Sequence, residues 1–329
     1  MRSRVRKGVS LTELGFGASQ LGNLYRETTD EKSAAAIDSA WEQGLRYFDT
    51  APHYGLGLSE RRLGAALATR PRDEYVLSTK VGRLLVPSPE TSGQLDDGGF
   101  VVPADLKRQW DFSRDGVLRS IEASLERLNT DRLDVVYIHD PDSHWAAAST
   151  SAVDALIELR DQGAIDAVGV GMNQSSMLTQ FVERCDVDVV MVANRFTLLE
   201  HGALADLLPL AIERNVGVVA AAVYNSGLLS RPRPSSNARY DYGPAPESAI
   251  RRANAIADIC ESYGVALPEA AVQFPLRHPA VVSVVVGSRT AEQVEGNVQR
   301  YAAHIPDELW TDLTELELIP PLTQTGISA

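Results

Sequence analysis

Asp49, Tyr54, Lys80 and His139 are the side chains of this sequence whose types and placement suit proton transfer at an oxygen. Asp49 closes a short apolar run, Tyr47-Phe48. A turn with Pro52 then leads to Tyr54, two glycines and Ser59, a serine able to cap the helix that follows. Burying a carboxylate at a strand end costs roughly several kcal/mol unless a cation meets it. Lys80 ends the next apolar run, and His139 ends the one after that. A lysine ammonium neutralises the aspartate, and beside a phenol it lowers a pKa of about 10 toward working pH. A tyrosine tuned in this way exchanges a proton with a carbonyl or alcohol oxygen. A histidine on the third side hydrogen-bonds that oxygen and orients it. Singly, the four read as an ion pair, a loop aromatic and a satisfied core histidine. The chemistry requires that they meet.

The elements that must bring them together are eight candidate strands, at 15–21, 47–50, 75–80, 133–139, 167–171, 187–193, 217–223 and 281–286. Nearly all are separated by helices, such as 30–44 ending at Gly44 and a periodic helix capped by Ser113. The strands are continuous apolar runs, as expected of parallel strands covered on both faces. Eight strand–helix repeats favour a closed (β/α)8 TIM barrel, with a doubly wound open sheet as the competitor. A short hairpin is expected before it, with strands at 5–9 and 11–13. Two polar, Pro-rich loops are expected, at 81–111 and 228–246. Asp49, Tyr54, Lys80 and His139 then all fall at or just past C-terminal strand ends, which share one face of a barrel.

No composition shift divides the chain, so residues 1–329 are expected to form a single domain. A net charge of −13 and pI near 5.0 argue against a nucleic-acid partner. No apolar run reaches the roughly 20 residues that span a bilayer, and the basic N-terminus has no apolar stretch behind it to make a signal peptide. Cys185 and Cys260 form no metal pattern and read as buried thiols of a cytoplasmic protein. No metal site is expected. The sequence Gly15-Phe16-Gly17-Ala18-Ser19-Gln20 begins like a dinucleotide-binding loop, but it lacks the third glycine and its glycines sit at the start of a strand rather than after one.

The segments DTA at 49–51, YG at 54–55, SE at 59–60, LSTKVG at 77–82, LDVVYIHDPD at 133–142 and VVGSRTAEQVEGNV at 285–298 resemble the signature of the aldo-keto reductases. The resemblance covers nearly the whole chain. It implies that Tyr54 is the general acid/base, Lys80 tunes it, Asp49 holds Lys80 and His139 positions the substrate oxygen. It also implies an extended nicotinamide cofactor, NAD or NADP, bound without a Rossmann fold. Asn173 matches the asparagine that holds the carboxamide. Ala193 stands where many members have a second carboxamide ligand, a glutamine. Tyr224, Asn225, Gly227 and Leu229 belong to a turn resembling the one at the nicotinamide and diphosphate. Ser288, Arg289, Gln293 and Asn297 match the adenosine end. A serine, an arginine and a helix N-terminus after a strand also make an anion site on physical grounds. Gly287 and Gln293 replace cations common in NADPH-binding members, which leaves Arg289 alone and leans the choice to NAD⁺.

The 81–111 insert and the segments HDPD (139–142), ANRFTLLE (193–200) and YNSGLL (224–229) resemble a branch of aldose and pyridoxal dehydrogenases. That implies oxidation of a sugar hemiacetal to a lactone, with Tyr54 as base. The substrate is a small sugar or aldehyde, and His53, Trp110, Asp142 and Trp145 are the candidate substrate contacts. An NADPH-dependent reductase of small aldehydes or ketones would use the same four residues. A redox-sensing binding module, as in potassium-channel β subunits of this superfamily, is the non-enzymatic alternative. Self-association is not legible.

Overall fold

The computed structural model describes residues 1–322; the last seven residues of the expected 1–329 domain lie outside the described residues. In chain order, an antiparallel hairpin, β1 (Ser3–Arg6) and β2 (Val9–Thr12), leads into β3 (Leu14–Gly17), β4 (Tyr47–Asp49) and β5 (Val76–Val81). A second hairpin follows, β6 (Arg83–Pro87) and β7 (Leu106–Trp110). Then come β8 (Val135–His139), β9 (Ala167–Met172), β10 (Val189–Ala193) and β11 (Gly217–Ala221). A two-residue ribbon, β12 (Arg239–Tyr240) and β13 (Gly243–Pro244), precedes β14 (Val281–Gly287). The eight strands β3, β4, β5, β8, β9, β10, β11 and β14 pair in parallel and close into a barrel. This is the (β/α)8 fold that the strand–helix alternation predicts.

Two apolar layers hold it. Phe48, Val136, Val170 and Val190 point outward into the layer under the helices. Tyr47, Tyr137, Val189 and Val282 fill the barrel interior together with Val9 and Leu11 of β2, so the N-terminal hairpin plugs one end. At ~25 cal/mol per Å² of apolar area, each such side chain stabilises the barrel by about 1.5–3 kcal/mol before the entropy of ordering is subtracted. The plugged end leaves the other, C-terminal end of the strands for a site.

Differences from the expected elements have local causes. The first hairpin turns at Lys7 and Gly8, both at positive φ, which moves Val9 into the second strand. β3 stops at Gly17, and Ala18–Gly22 forms a 3-10 turn. Ser59 does not cap the helix Leu58–Leu67, whose N-cap is Gly57. Its hydroxyl donates instead to the Ala18 carbonyl at 2.7 Å and bonds the Thr50 hydroxyl at 2.8 Å. Ser113 does cap its helix, accepting from the Gly116 N–H. Cys260 is buried, but Cys185 is only half-buried. The 81–111 segment is no irregular loop: β6 and β7 pair across five residues each, and Leu24 bridges to Phe100 beyond them. Among the described residues no helix is long and apolar enough to cross a membrane.

Candidate active site

β4, β5 and β8 are neighbours in the barrel, with Asp49 beside Ser78 and Lys80 beside Tyr137 in register. Their C-terminal ends therefore deliver Asp49, Lys80 and His139 to one mouth. Lys80 is 2% and Asp49 4% exposed at the side chain, and Lys80 Nζ donates to Asp49 Oδ2 at 2.7 Å. The other two ammonium protons go to the Thr50 carbonyl at 2.8 Å and the Tyr54 hydroxyl at 3.2 Å. Asp49 Oδ1 accepts from the Ser78 hydroxyl at 2.7 Å. Every charge in the pair is thus met, as burial demands. The Tyr54 oxygen accepts from Lys80, which leaves its own hydrogen free to point into the cleft. The His139 ring stands edge-on to the Tyr54 ring, 5.9 Å between centroids.

The electrostatics correct one expectation. Burial pushes the Tyr54 phenol above its ordinary value; Lys80 pulls it down and Asp49 pushes it up again. Because Asp49 offsets the ammonium, burial wins, and Tyr54 rests protonated rather than tuned toward neutral pH. Burial also opposes the Lys80 charge, but Asp49 and Tyr54 outweigh it and hold the ammonium above its ordinary pKa. His139 is pushed well below 6.5, first by burial and then by Arg83 and Lys80, so it is neutral. His53 behaves alike, lowered to about 2 by burial and the nearby cations. The site holds a phenol that can donate and a neutral imidazole that can orient.

Glycine positions Tyr54. Gly55 has φ +63°, and a Cβ there would lie 2.3 Å from the Gly22 carbonyl oxygen. The two backbones touch, and no side chain fits between them. Gly55→Ala is expected to displace the Tyr54 loop, costing about 10²-fold in kcat/KM and about 1–3 kcal/mol in stability. Steady-state kinetics and thermal melting check both.

A continuous cleft of about 1290 Å³ runs from these residues across the mouth. Asn173, Tyr224, Gly227, Arg289, Gln293 and Asn297 line it, whereas Asn225, Leu229 and Ser288 do not. Leu229 is wholly buried among core side chains. The Ser288 hydroxyl accepts from Asn297 Nδ2 at 3.0 Å, and Asn297 Oδ1 accepts from Tyr224 and Arg300. Arg289 departs from the expected anion grip. Its terminal nitrogens donate to the Arg26 and Leu24 carbonyls, both at 2.7 Å, and it is only 7% exposed. The Gln293 amide oxygen accepts from the Arg289 N–H at 2.8 Å. Of the substrate candidates, His53, Trp110 and Asp142 line the cleft. Trp145 does not: a helix starts at it and turns its ring onto Phe181, 4.7 Å away.

Several residues of the cleft carry little signal in the sequence. Arg26, Arg231 and Arg300 add cations at its far end. Asn194, 1% exposed at φ +60°, lines the cleft with both amide atoms unpartnered. It adjoins Ala193, so the ANR segment was the only available signal. Tyr242 lies within hydrogen-bond reach of Asn173 Nδ2 at 3.4 Å. An orphaned buried amide asks for a ligand with one donor and one acceptor, and the arginines ask for phosphate. A dinucleotide carrying a carboxamide meets both demands.

Comparison with known proteins agrees. Residues 13–318 match the Aldo/keto reductase family. The chain is 48% identical to a D-threo-aldose 1-dehydrogenase of Pseudomonas sp, covering 95% of this chain and 96% of that protein. It is 38% identical to a pyridoxal 4-dehydrogenase of Microbacterium luteolum, covering 97% of each. A solved aldo-keto reductase of Bacillus halodurans, in its holo form, superposes with a TM-score of 0.75 at 25% identity over 96% of each chain. With the barrel, the buried Asp49–Lys80–Tyr54 hydrogen-bond chain and these matches in hand, the chain belongs to the aldo/keto reductase family of oxidoreductases.

Proposed function

We propose that this enzyme oxidises the anomeric carbon of an aldose to its lactone and passes the hydride to a nicotinamide cofactor. The observation that carries the reading is the Tyr54 oxygen, held by Lys80 at 3.2 Å beside a neutral His139 at the cleft. The D-threo-aldose dehydrogenase relative supports the sugar.

The cofactor, when bound, supplies the hydride acceptor in oxidation and the donor in reduction. The chain does the rest. His139 donates a hydrogen bond to the anomeric oxygen and holds it against Tyr54. Tyr54 takes the hydroxyl proton as the carbon–hydrogen bond breaks and the carbon–oxygen double bond of the lactone forms. Lys80 stabilises the phenolate form of Tyr54 that accepts this proton, and Asp49 keeps Lys80 in place. Asn173 and Asn194 would hold the carboxamide. Arg26 and Arg231 would meet the phosphates. NAD⁺ is the preferred form in this reading. Gly287 offers no side chain, Gln293 and Arg289 are tied to the protein, and Glu292 lines the same end with a carboxylate that repels a 2′-phosphate. A cytoplasmic location goes with this reading, since both thiols are free.

The raised Tyr54 pKa favours a second reading, reduction of a small aldehyde or ketone, because a protonated phenol is the acid that reaction needs. A screen of NAD⁺ and NADP⁺ against aldoses and pyridoxal, with reduced cofactors against small aldehydes, separates them. The expected result is aldose-dependent reduction with kcat/KM favouring NAD⁺ by about tenfold or more. Turnover confined to aldehydes and NADPH would replace the first reading with the second.

A further inference from the structure

Next to the Tyr54–His139 pair lies a second pair that the proton transfer does not use. Arg83 opens β6, and Asp140 follows His139 at the end of β8. Arg83 Nη2 donates to Asp140 Oδ2, and the guanidinium carbon lies 4.4 Å over the Trp110 ring. Trp110 faces Arg83 directly across the β6–β7 hairpin, so the same pairing that builds the hairpin sets the plane of the guanidinium. Both Arg83 and Asp140 line the cleft. The Arg83 side chain is 11% exposed, and its Nε–H is buried without a partner. Asp140 stands at φ +42°, and its N–H donates to the Gly171 carbonyl at 2.9 Å, which fixes the backbone under its carboxylate. Asp140 Oδ2 lies 3.5 Å from His139 Nε2.

This geometry has a chemical complement. A guanidinium with a donor to spare beside a carboxylate with lone pairs to spare matches a hydroxyl group, which accepts and donates at once. Tyr54 and His139 converge on the reacting oxygen. Asp140 sits beside His139, so it meets what lies next along the substrate. On an aldose that is the hydroxyl of the adjacent carbon, about one hydrogen-bond length from the first oxygen. An anionic group fits less well. The Arg83 charge is already offset by Asp140, and Asp142 lines the cleft with a further carboxylate.

We propose that Arg83 and Asp140 read the hydroxyl on the carbon next to the reacting one, and so make an α-hydroxyl a requirement for efficient turnover. Trp110 is then a positioning residue that holds the Arg83 plane, rather than a wall for the sugar. The assignment rests on reading this cleft as an oxidoreductase site for a sugar or aldehyde, and its test separates the two.

The measurement is the ratio of kcat/KM for a hydroxylated substrate to that for its deoxy counterpart, in the wild type, Asp140→Asn and Arg83→Gln. Galactose against 2-deoxygalactose serves in oxidation, and lactaldehyde against propanal in reduction. The wild type is expected to favour the hydroxylated member by about 10²-fold, as a buried site built to bond a hydroxyl does. In each variant the ratio should fall toward one. A pair that only braces the hairpin would lower both substrates together and leave the ratio unchanged, which overturns the proposal. So does a wild-type enzyme indifferent to the hydroxyl in both substrate pairs. If no aldose reacts, the sugar reading falls, and lactaldehyde against propanal still decides the role of Arg83 and Asp140.

Discussion

Tyr54→Phe is expected to lower the rate of hydride transfer by about 10²–10⁴-fold, the span that a positioned general acid or base contributes. Cofactor affinity, followed by quenching of tryptophan fluorescence, should be unchanged. The variant removes one oxygen from a ring that stays packed against Phe100 and His139. The pH dependence of the wild type carries the sign of the mechanism. Oxidation needs the phenolate, and burial raises the phenol above its ordinary pKa of about 10. Oxidative kcat/KM should therefore climb with pH through the neutral range, by up to tenfold per unit, without a plateau below that value. Reduction needs the phenol, which is protonated throughout that range, so its rate should stay level and fall only as the raised pKa is passed. His139 adds no limb near 6.5 because it stays neutral. Retention of wild-type turnover in Tyr54→Phe would remove Tyr54 from the chemistry.

How far the sequence reveals this site depends on what sets each position. Asp49, Lys80 and His139 were legible because strands place their last residues on one rim, and a charge ending an apolar run marks that rim. The barrel was legible for the same reason: a parallel strand buried on both faces cannot hide its pattern. The β6–β7 hairpin was not. Its strands are five residues long and 18 residues apart, with no tight turn to announce the pairing. Arg83 and Trp110 meet only once that pairing forms. The fate of Arg289 was hidden too, since its guanidinium binds carbonyls more than 260 residues away. Backbone carbonyls carry no residue identity, so such a bond leaves no trace in composition. Trp145 looked like a wall of the mouth because it follows a strand, but a short helix beginning there rotates it to the outer layer. The raised pKa of Tyr54 is hidden for a related reason. The sequence shows which charges are near, not how much water is removed.

Lys80→Met tests whether the buried pair is held together by charge. It leaves Asp49, 4% exposed, with the Ser78 hydroxyl and no cation. An uncompensated buried charge of that kind is expected to cost about 3–5 kcal/mol, read as a fall in the denaturant midpoint at constant slope. The double variant Lys80→Met/Asp49→Leu removes the stranded charge as well and should be more stable than Lys80→Met alone. Ser78 tolerates that loss because its hydroxyl also lies 3.2 Å from the Tyr47 hydroxyl. Activity separates from stability in this series. Lys80 is the group that pulls the Tyr54 pKa down against burial, and Asp49 pushes it up. In Lys80→Met both influences favour the protonated phenol, so the rising limb of oxidation should move to still higher pH and the rate at neutral pH should drop. In the double variant burial and the Asp140 charge remain, and the limb should return part of the way. A double variant no more stable than the single would mean that Asp49 is solvated or protonated once Lys80 is gone. A limb that stays in place in Lys80→Met would mean that the ammonium anchors the Thr50 carbonyl and the loop, and does not tune the phenol.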